Sequence, residues 1–133
     1  MTALISHTTF DATDAYAQSV FWAQVLGFAD DPDDPNEAGH EECMIFSSDG
    51  AQRILFIEVP ERKQAKNRLH LDLVPAAGTR DEEVARLLEL GATVVDDLRR
   101  PDGPGWVVLA DPEGNEFCIL RSEAERTANP ATT

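Results

Sequence analysis

Residues Arg68–Val74, with the sequence RLHLDLV, give the clearest indication of how this chain folds. Its alternation is typical of a β-strand, because successive side chains of a strand point to opposite faces. The three leucines then share one face, which we expect to lie under a helix. The arginine, histidine and aspartate share the other face, where burial without partners would cost on the order of 1–3 kcal/mol for each group. The pattern therefore predicts a sheet with one covered face and one polar face, which either lines a pocket or faces solvent.

The same plan occurs once before in the chain. Leu4–Phe10 is predicted to be a strand, and it is followed by a predicted helix, Ala15–Leu26, that ends at Gly27. After Val74 the pattern predicts a second helix, Asp81–Leu90, again with a glycine directly behind it. The other predicted strands are Cys43–Ser47, Arg53–Val59, Thr93–Leu98, Trp106–Ala110 and Glu116–Arg121.

The spacing of the two halves indicates an internal duplication. The interval from His7 to Gly27 and the interval from His70 to Gly91 differ by a single position. We therefore predict one domain over residues 1–122, made of a first module at about 4–59 and a second at about 68–121. A polar, mostly basic connector, Pro60–Asn67, joins the modules. Residues 123–133 are predicted to form a flexible tail.

Composition limits the classes of partner. The formal charge is −14, from 25 acidic and 11 basic residues, so we expect neither nucleic acid nor an anionic membrane as a partner. No apolar run approaches the roughly 20 residues of a membrane helix, and the N-terminus does not resemble a signal peptide. The two cysteines have no redox or zinc-finger spacing. Together these features predict a cytoplasmic protein.

Two motifs in order around the duplicated plan carry a family resemblance. The first predicted helix ends in FWAQVLGF, residues 21–28, and the last hairpin turns through LADPEGN, residues 109–115. Both resemble motifs of the vicinal oxygen chelate, or glyoxalase-like, superfamily. The resemblance implies an α+β fold in which two paired βαβββ modules form curved mixed sheets around a cup-shaped pocket. It also implies a small-molecule ligand and a homodimer.

The resemblance further implies a divalent metal site. Carried over by position, the ligands are His7, Glu58, His70 and Cys118, and the metal is Zn, Ni, Mn or Fe. Cys118 departs from the family pattern, which has a carboxylate there, and a thiolate favours zinc or softer ions over magnesium or manganese. Glu116 lies two residues earlier on the same predicted face and is the alternative ligand.

Other residues are candidates for catalysis and substrate binding. Glu58 and Asp72 are the candidate catalytic carboxylates, although Asp72 is also suited to orienting a histidine or to pairing with Arg68. Trp106, Glu116 and Arg68 are the candidate pocket residues.

Two functions fit these predictions. One is a metal-dependent lyase or isomerase that acts on a small oxygenated substrate. The alternative is a metal-free protein that binds or sequesters a small molecule, as resistance-type members of the superfamily do. Because the fold hosts both, only the site residues can discriminate between them.

Overall fold

The computed structural model describes residues 1–130, which form two compact units divided between Arg62 and Lys63. The first unit contains β1 (Thr8–Ala12), α1 (Ala15–Leu26), β2 (Glu42–Phe46) and β3 (Arg53–Glu58). The second contains β4 (Asp72–Leu73), α2 (Arg80–Leu90), β5 (Thr93–Asp97), β6 (Val107–Ala110), β7 (Glu116–Ile119) and α3 (Glu123–Ala128). Among these residues, no helix is long and apolar enough to cross a lipid bilayer.

The two units share one strand topology. In the second unit the order is β4-β7-β6-β5, with β4 parallel to β7 and the other neighbours antiparallel. In the first unit the order is β1-β3-β2, with β1 parallel to β3. The edge position next to β2 is taken by an isolated bridge between Ala29 and Phe46. The predicted α+β fold of two mixed sheets is therefore confirmed, with one strand of the first module reduced to this bridge.

Strand pairing gives the duplication a defined register. Thr9 pairs with Leu55 in the first sheet, and Asp72 pairs with Cys118 in the second. The offset along the chain from Thr9 to Asp72 equals the offset from Leu55 to Cys118. The repeat therefore makes Leu55 the counterpart of Cys118.

Helix α1 covers one face of the first sheet. It begins at the N-cap Asp14, whose side chain accepts a hydrogen bond from Ala17 N, and it ends at Gly27, which has a φ of 68°. The Trp22 side chain is 1% exposed, and its ring lies 5.4 Å from that of Phe10 in β1. The Phe10 ring in turn lies 5.3 Å from that of Phe56, so β1 and β3 present these aromatic rings to the helix.

Helix α2 covers one face of the second sheet. A capping box between Thr79 and Glu82 fixes its first turn, since the hydroxyl accepts from Glu82 N and the carboxylate accepts from Thr79 N. Its buried Val84 and Leu87 face the sheet. Phe117 and Ile119 of β7 are 1% and 0% exposed, which places their side chains on the covered face, as the alternation predicts.

The first strands of both modules are shorter than predicted. Leu4 and Ile5 precede β1 and are 94% and 91% exposed, and Leu69 precedes β4 and is 90% exposed. The prediction that Leu69 lies under a helix is therefore wrong. The reason is that β4 pairs with β7 only at Asp72 and Leu73. The chain before β4 leaves the ladder, so no sheet face directs its side chains.

The C-terminal segment is more ordered than the predicted tail. Residues Glu123–Ala128 form α3, whose capping box joins Ser122 and Glu125. The Glu125 carboxylate also accepts a hydrogen bond of 2.6 Å from Arg80 N, at the start of α2. One side chain thus ties two helix N-termini together, which explains why a segment of low hydrophobicity is helical. Residues 131–133 of the predicted tail lie outside the described part of the chain.

Candidate functional site

The site lies on the face of the second sheet opposite α2. Because Phe117 and Ile119 point towards α2, Glu116 and Cys118 point away from it. Asp72 is the direct neighbour of Cys118 across the parallel β4–β7 pair, so the two side chains share this face. Strand pairing therefore places a carboxylate beside a thiol without any help from loops.

Three side chains with metal-binding atoms converge there. His70, Asp72 and Cys118 each offer one ligand atom, and these atoms all lie within 4.8 Å of one another. Nδ1 of His70 lies 3.4 Å from Oδ1 of Asp72. His70 and Asp72 are exposed, whereas Cys118 is only 7% exposed. The cluster is thus buried at Cys118 and open to solvent at His70 and Asp72.

The three donors fit a divalent ion with modest adjustment. Around a tetrahedral zinc ion, donor atoms bound at about 2.0–2.3 Å lie about 3.5 Å apart. The side chains of His70 and Asp72 are exposed, so small rotamer changes close the remaining difference. One nitrogen, one oxygen and one sulfur ligand leave the fourth tetrahedral position open, as in catalytic zinc sites. A thiolate among the donors favours zinc over manganese.

The surroundings of Cys118 keep its thiol protonated when no ion is bound. The pKa of Cys118 is raised to about 11, chiefly by burial and additionally by the hydrogen bond and charge of Asp72 and the charge of Glu116. The ammonium of Lys66 opposes this rise. The pKa of the Glu116 carboxyl is lowered, chiefly by a hydrogen bond from Lys66, whose Nζ lies 2.8 Å from Oε2.

Glu58 does not share a face with His7. Within β3, Ile54 and Phe56 are buried against α1, and alternation places Glu58 on the same side, where it pairs with Ala12. His7 directly precedes β1, and the same alternation places it on the opposite face. In the strand register Glu58 therefore lies on the α1 side of β3, and its place in the ligand set stays a prediction. The residue of the first module that is equivalent to Cys118 is Leu55, whose side chain has no atom that can bind a metal ion.

The other predicted residues are distributed as follows. His7 is exposed, and its Nδ1 lies 2.9 Å from Oγ of Ser6. Trp106 is half-buried and continues the alternation of β6 on the side of Cys118, so it stays a candidate pocket wall. Arg68 is exposed and precedes β4. The ion pair of Asp72 is with His70, whereas the sequence had offered Arg68 as an alternative partner.

Sequence reasoning missed Asn67 and Lys66. The Asn67 side chain accepts a hydrogen bond of 3.0 Å from Glu116 N and donates to the Leu69 carbonyl, so it substitutes for the missing strand partner at the start of β7. This contact holds the connector beside the cluster. The only signal in the sequence was the basic character of the connector, which did not reveal where it docks.

Comparison with known proteins identifies the family. The sequence model of the glyoxalase-like domain matches residues 7–120, whereas no curated protein sequence matches the chain significantly. Among solved structures, the fosfomycin resistance protein FosX from Mesorhizobium loti is 18% identical, with a TM-score of 0.64 over 97% of this chain and 100% of its own. A FosX variant from Listeria monocytogenes, solved with Mn(II) and 1S,2S-dihydroxypropylphosphonic acid, is 17% identical, with a TM-score of 0.67 over 98% of each chain.

A third similar structure is a glyoxalase/bleomycin resistance protein/dioxygenase family enzyme from Burkholderia phytofirmans PsJN. It is 23% identical, with a TM-score of 0.65 over 88% of this chain and 97% of its own. At these identities the structures establish the fold and leave the activity open. The family match extends over both modules and includes the LADPEGN turn and all three residues of the cluster. The chain therefore belongs to the family of glyoxalase-like domain proteins.

Proposed function

We propose that the chain binds a small oxygenated molecule at a divalent metal held by His70, Asp72 and Cys118, and that it acts as a lyase or isomerase. The observation that carries this proposal is the convergence of three different donor atoms within 4.8 Å. Two of the three, His70 and Cys118, belong to the ligand set implied by the family resemblance. Asp72 takes the place that Glu58 had in that set.

The donor set decides which ion we expect. When bound, a zinc ion would act as a Lewis acid on a substrate oxygen. Listeria FosX was solved with Mn(II), which shows that a related fold accepts a divalent ion. Because Cys118 supplies sulfur, we expect this chain to prefer zinc, nickel or iron over manganese.

The protein residues have distinct proposed roles. Asp72 orients the imidazole of His70 and is the candidate base for a substrate proton, since its carboxylate is exposed at the mouth of the cluster. Trp106 provides an amphipathic wall on the same side. The assembly of the protein as a homodimer in the cytoplasm is part of the same proposal.

Cobalt(II) titration tests the metal site, because a cysteine ligand produces a thiolate-to-cobalt charge-transfer band in the near ultraviolet. The chain has two cysteines, which provides a matched control. We expect wild type and Cys43→Ser to show the band with a stoichiometry near one, Cys118→Ser to lose the band, and His70→Ala to bind at least tenfold more weakly. Absence of the band in wild type, or its loss in Cys43→Ser alone, would overturn the proposal.

One observation favours a metal-free binding protein as the second candidate. The Asp72 carboxylate lies 3.4 Å from His70, and burial together with Asp72 raises the pKa of Cys118 so that its thiol stays neutral, which leaves the cluster without an uncompensated charge when no ion is bound. Such a protein would sequester its ligand and leave it unchanged. Elemental analysis after incubation with zinc, nickel, manganese and iron separates the two candidates, since the second predicts no bound metal.

A further inference from the structure

The basic connector before β4 contrasts with the charge of the whole protein. The chain has a formal charge of −14 and contains only two lysines, Lys63 and Lys66. Both lie in the segment 63–68, which also contains Arg68 and no acidic residue. All three side chains are exposed. A local positive patch on an acidic protein attracts small anions to one place on its surface.

The connector is docked at a defined position. Asn67 pairs through its side chain with the backbone of Glu116, at 3.0 Å from Glu116 N to Oδ1. Lys63 runs beside the hairpin turn, where its Cδ would lie 3.9 Å from a Cβ added at Gly114. The Asn67 contact and the ion pair between Lys66 and Glu116 place Lys66 at the start of β7, and Lys63 lies beside the hairpin turn.

Lys66 lies next to the cluster. Its Nζ binds Oε2 of Glu116 at 2.8 Å, and Glu116 is two residues before Cys118 on the same face of β7. Residues two apart on a strand are about 7 Å apart. The Lys66 side chain is 73% exposed, whereas the Glu116 side chain is 15% exposed. An exposed ion pair contributes little to stability, so Lys66 can exchange partners at small cost.

We propose that Lys66 recognises the anionic group of a small carboxylate or phosphonate ligand whose oxygens bind at His70, Asp72 and Cys118, and that Glu116 holds Lys66 in position until the ligand arrives. The inference rests on the proposed function and names its substrate class, a small organic oxyanion. Lys63 adds positive potential beside Lys66 and makes no direct contact with the ligand. Glu116 is the partner of Lys66 in the absence of ligand, and its carboxylate competes with the ligand for the Lys66 ammonium.

The two lysines make a direct test possible. Reductive methylation with ¹³C-formaldehyde labels Lys63, Lys66 and the N-terminal amine and retains their charge, so each gives its own NMR signal. Lys63→Arg and Lys66→Arg variants assign the two side-chain signals. The probes are lactate, which carries a hydroxyl next to a carboxylate, and lactamide, its neutral counterpart. Both are added to the protein with and without one equivalent of zinc.

We expect lactate to shift the Lys66 signal saturably in the zinc-loaded protein, with an apparent Kd at least tenfold lower than that of lactamide. Isothermal titration calorimetry measures the affinities of the variants that lack the Lys66 signal. Lys66→Met should lose the tenfold preference and Lys66→Arg should retain it, while both bind zinc within twofold of wild type. Glu116→Gln should bind lactate more tightly, because Lys66 then has no competing carboxylate. Equal binding of lactate and lactamide, or an unchanged preference in Lys66→Met, would overturn the inference.

Zinc binding is measured in the same samples by competition with a chromophoric chelator. If zinc binds but the protein does not prefer lactate over lactamide, the inference is wrong and the proposed metal site stands. If zinc does not bind, the proposed function is wrong and the inference falls with it.

Discussion

Replacing Arg80 should destabilise the second unit, although the residue lies in the first turn of α2. The Arg80 side chain is 5% exposed, and its Nη1 donates to the carbonyls of Gly105 at 2.8 Å and Gly103 at 3.0 Å. These two bonds hold the turn that leads into Trp106 and β6. In Arg80→Met the aliphatic stem keeps its packing, but both carbonyls lose a charged donor.

The expected loss follows from these contacts. A hydrogen bond to a charged group contributes about 1.5–3 kcal/mol, and the bond to Gly105 is buried, so its carbonyl finds no water in exchange. The bond to Gly103 is partly buried, and water replaces some of it. We therefore expect Arg80→Met to lower the free energy of unfolding by about 2–4 kcal/mol, and Tm by roughly 10 °C.

Urea unfolding followed by circular dichroism measures this change, with the m value checked for constancy. Arg100→Met is the matched control, because Arg100 lies in the same turn and pairs with Asp102 through an exposed ion pair. We expect the control to stay within about 0.5 kcal/mol of wild type. A loss below about 1 kcal/mol in Arg80→Met, or an equal loss in both variants, would refute the argument that the two carbonyl bonds hold the turn.

Three further predictions concern the site and its support. Folding raises the pKa of the Cys118 thiol from 9.0 to about 11, so the folded state holds this proton more tightly than the unfolded state does. The stability that the neutral thiol contributes is therefore complete below pH 9.0 and is lost as the pH rises towards 11. Urea midpoints between pH 8 and 10.5 should therefore fall more steeply in wild type than in Cys118→Ser, and parallel curves would contradict this. Glu58→Gln should bind zinc within twofold of wild type, whereas a tenfold loss, as expected for His70→Ala, would return Glu58 to the ligand set. Gly105→Ala should cost on the order of 3 kcal/mol or more, because φ is 103° and the new Cβ would lie 2.0 Å from a carbonyl oxygen. Gly50→Ala, at a φ of 72° with open space around it, should cost only about 1 kcal/mol in the same urea assay.

Local patterns were sufficient to predict most of the fold. Helix α1 has the predicted bounds and ends at the predicted Gly27, because the signals that start and stop a helix act within a few residues of the chain. The alternation in β7 correctly separated Phe117 from Cys118 for the same reason. The first strand of each module was overpredicted, because alternation gives no information on whether a partner strand is present.

The duplicated plan and the family resemblance could be recognised from the sequence alone. So could the shared face of His70 and Asp72 on one strand and the position of Cys118 on another. The folded chain was needed to show that Asp72 lies directly beside Cys118, that Glu58 shares a face of β3 with Phe56, and that Asn67 brings Lys66 to the edge of the cluster. The physical reason is that these contacts join residues far apart in the chain, Asp72 with Cys118 and Lys66 with Glu116, through bonds between strands or across a connector. A shift of one residue in such a pairing exchanges the two faces of a strand, and no local pattern detects it.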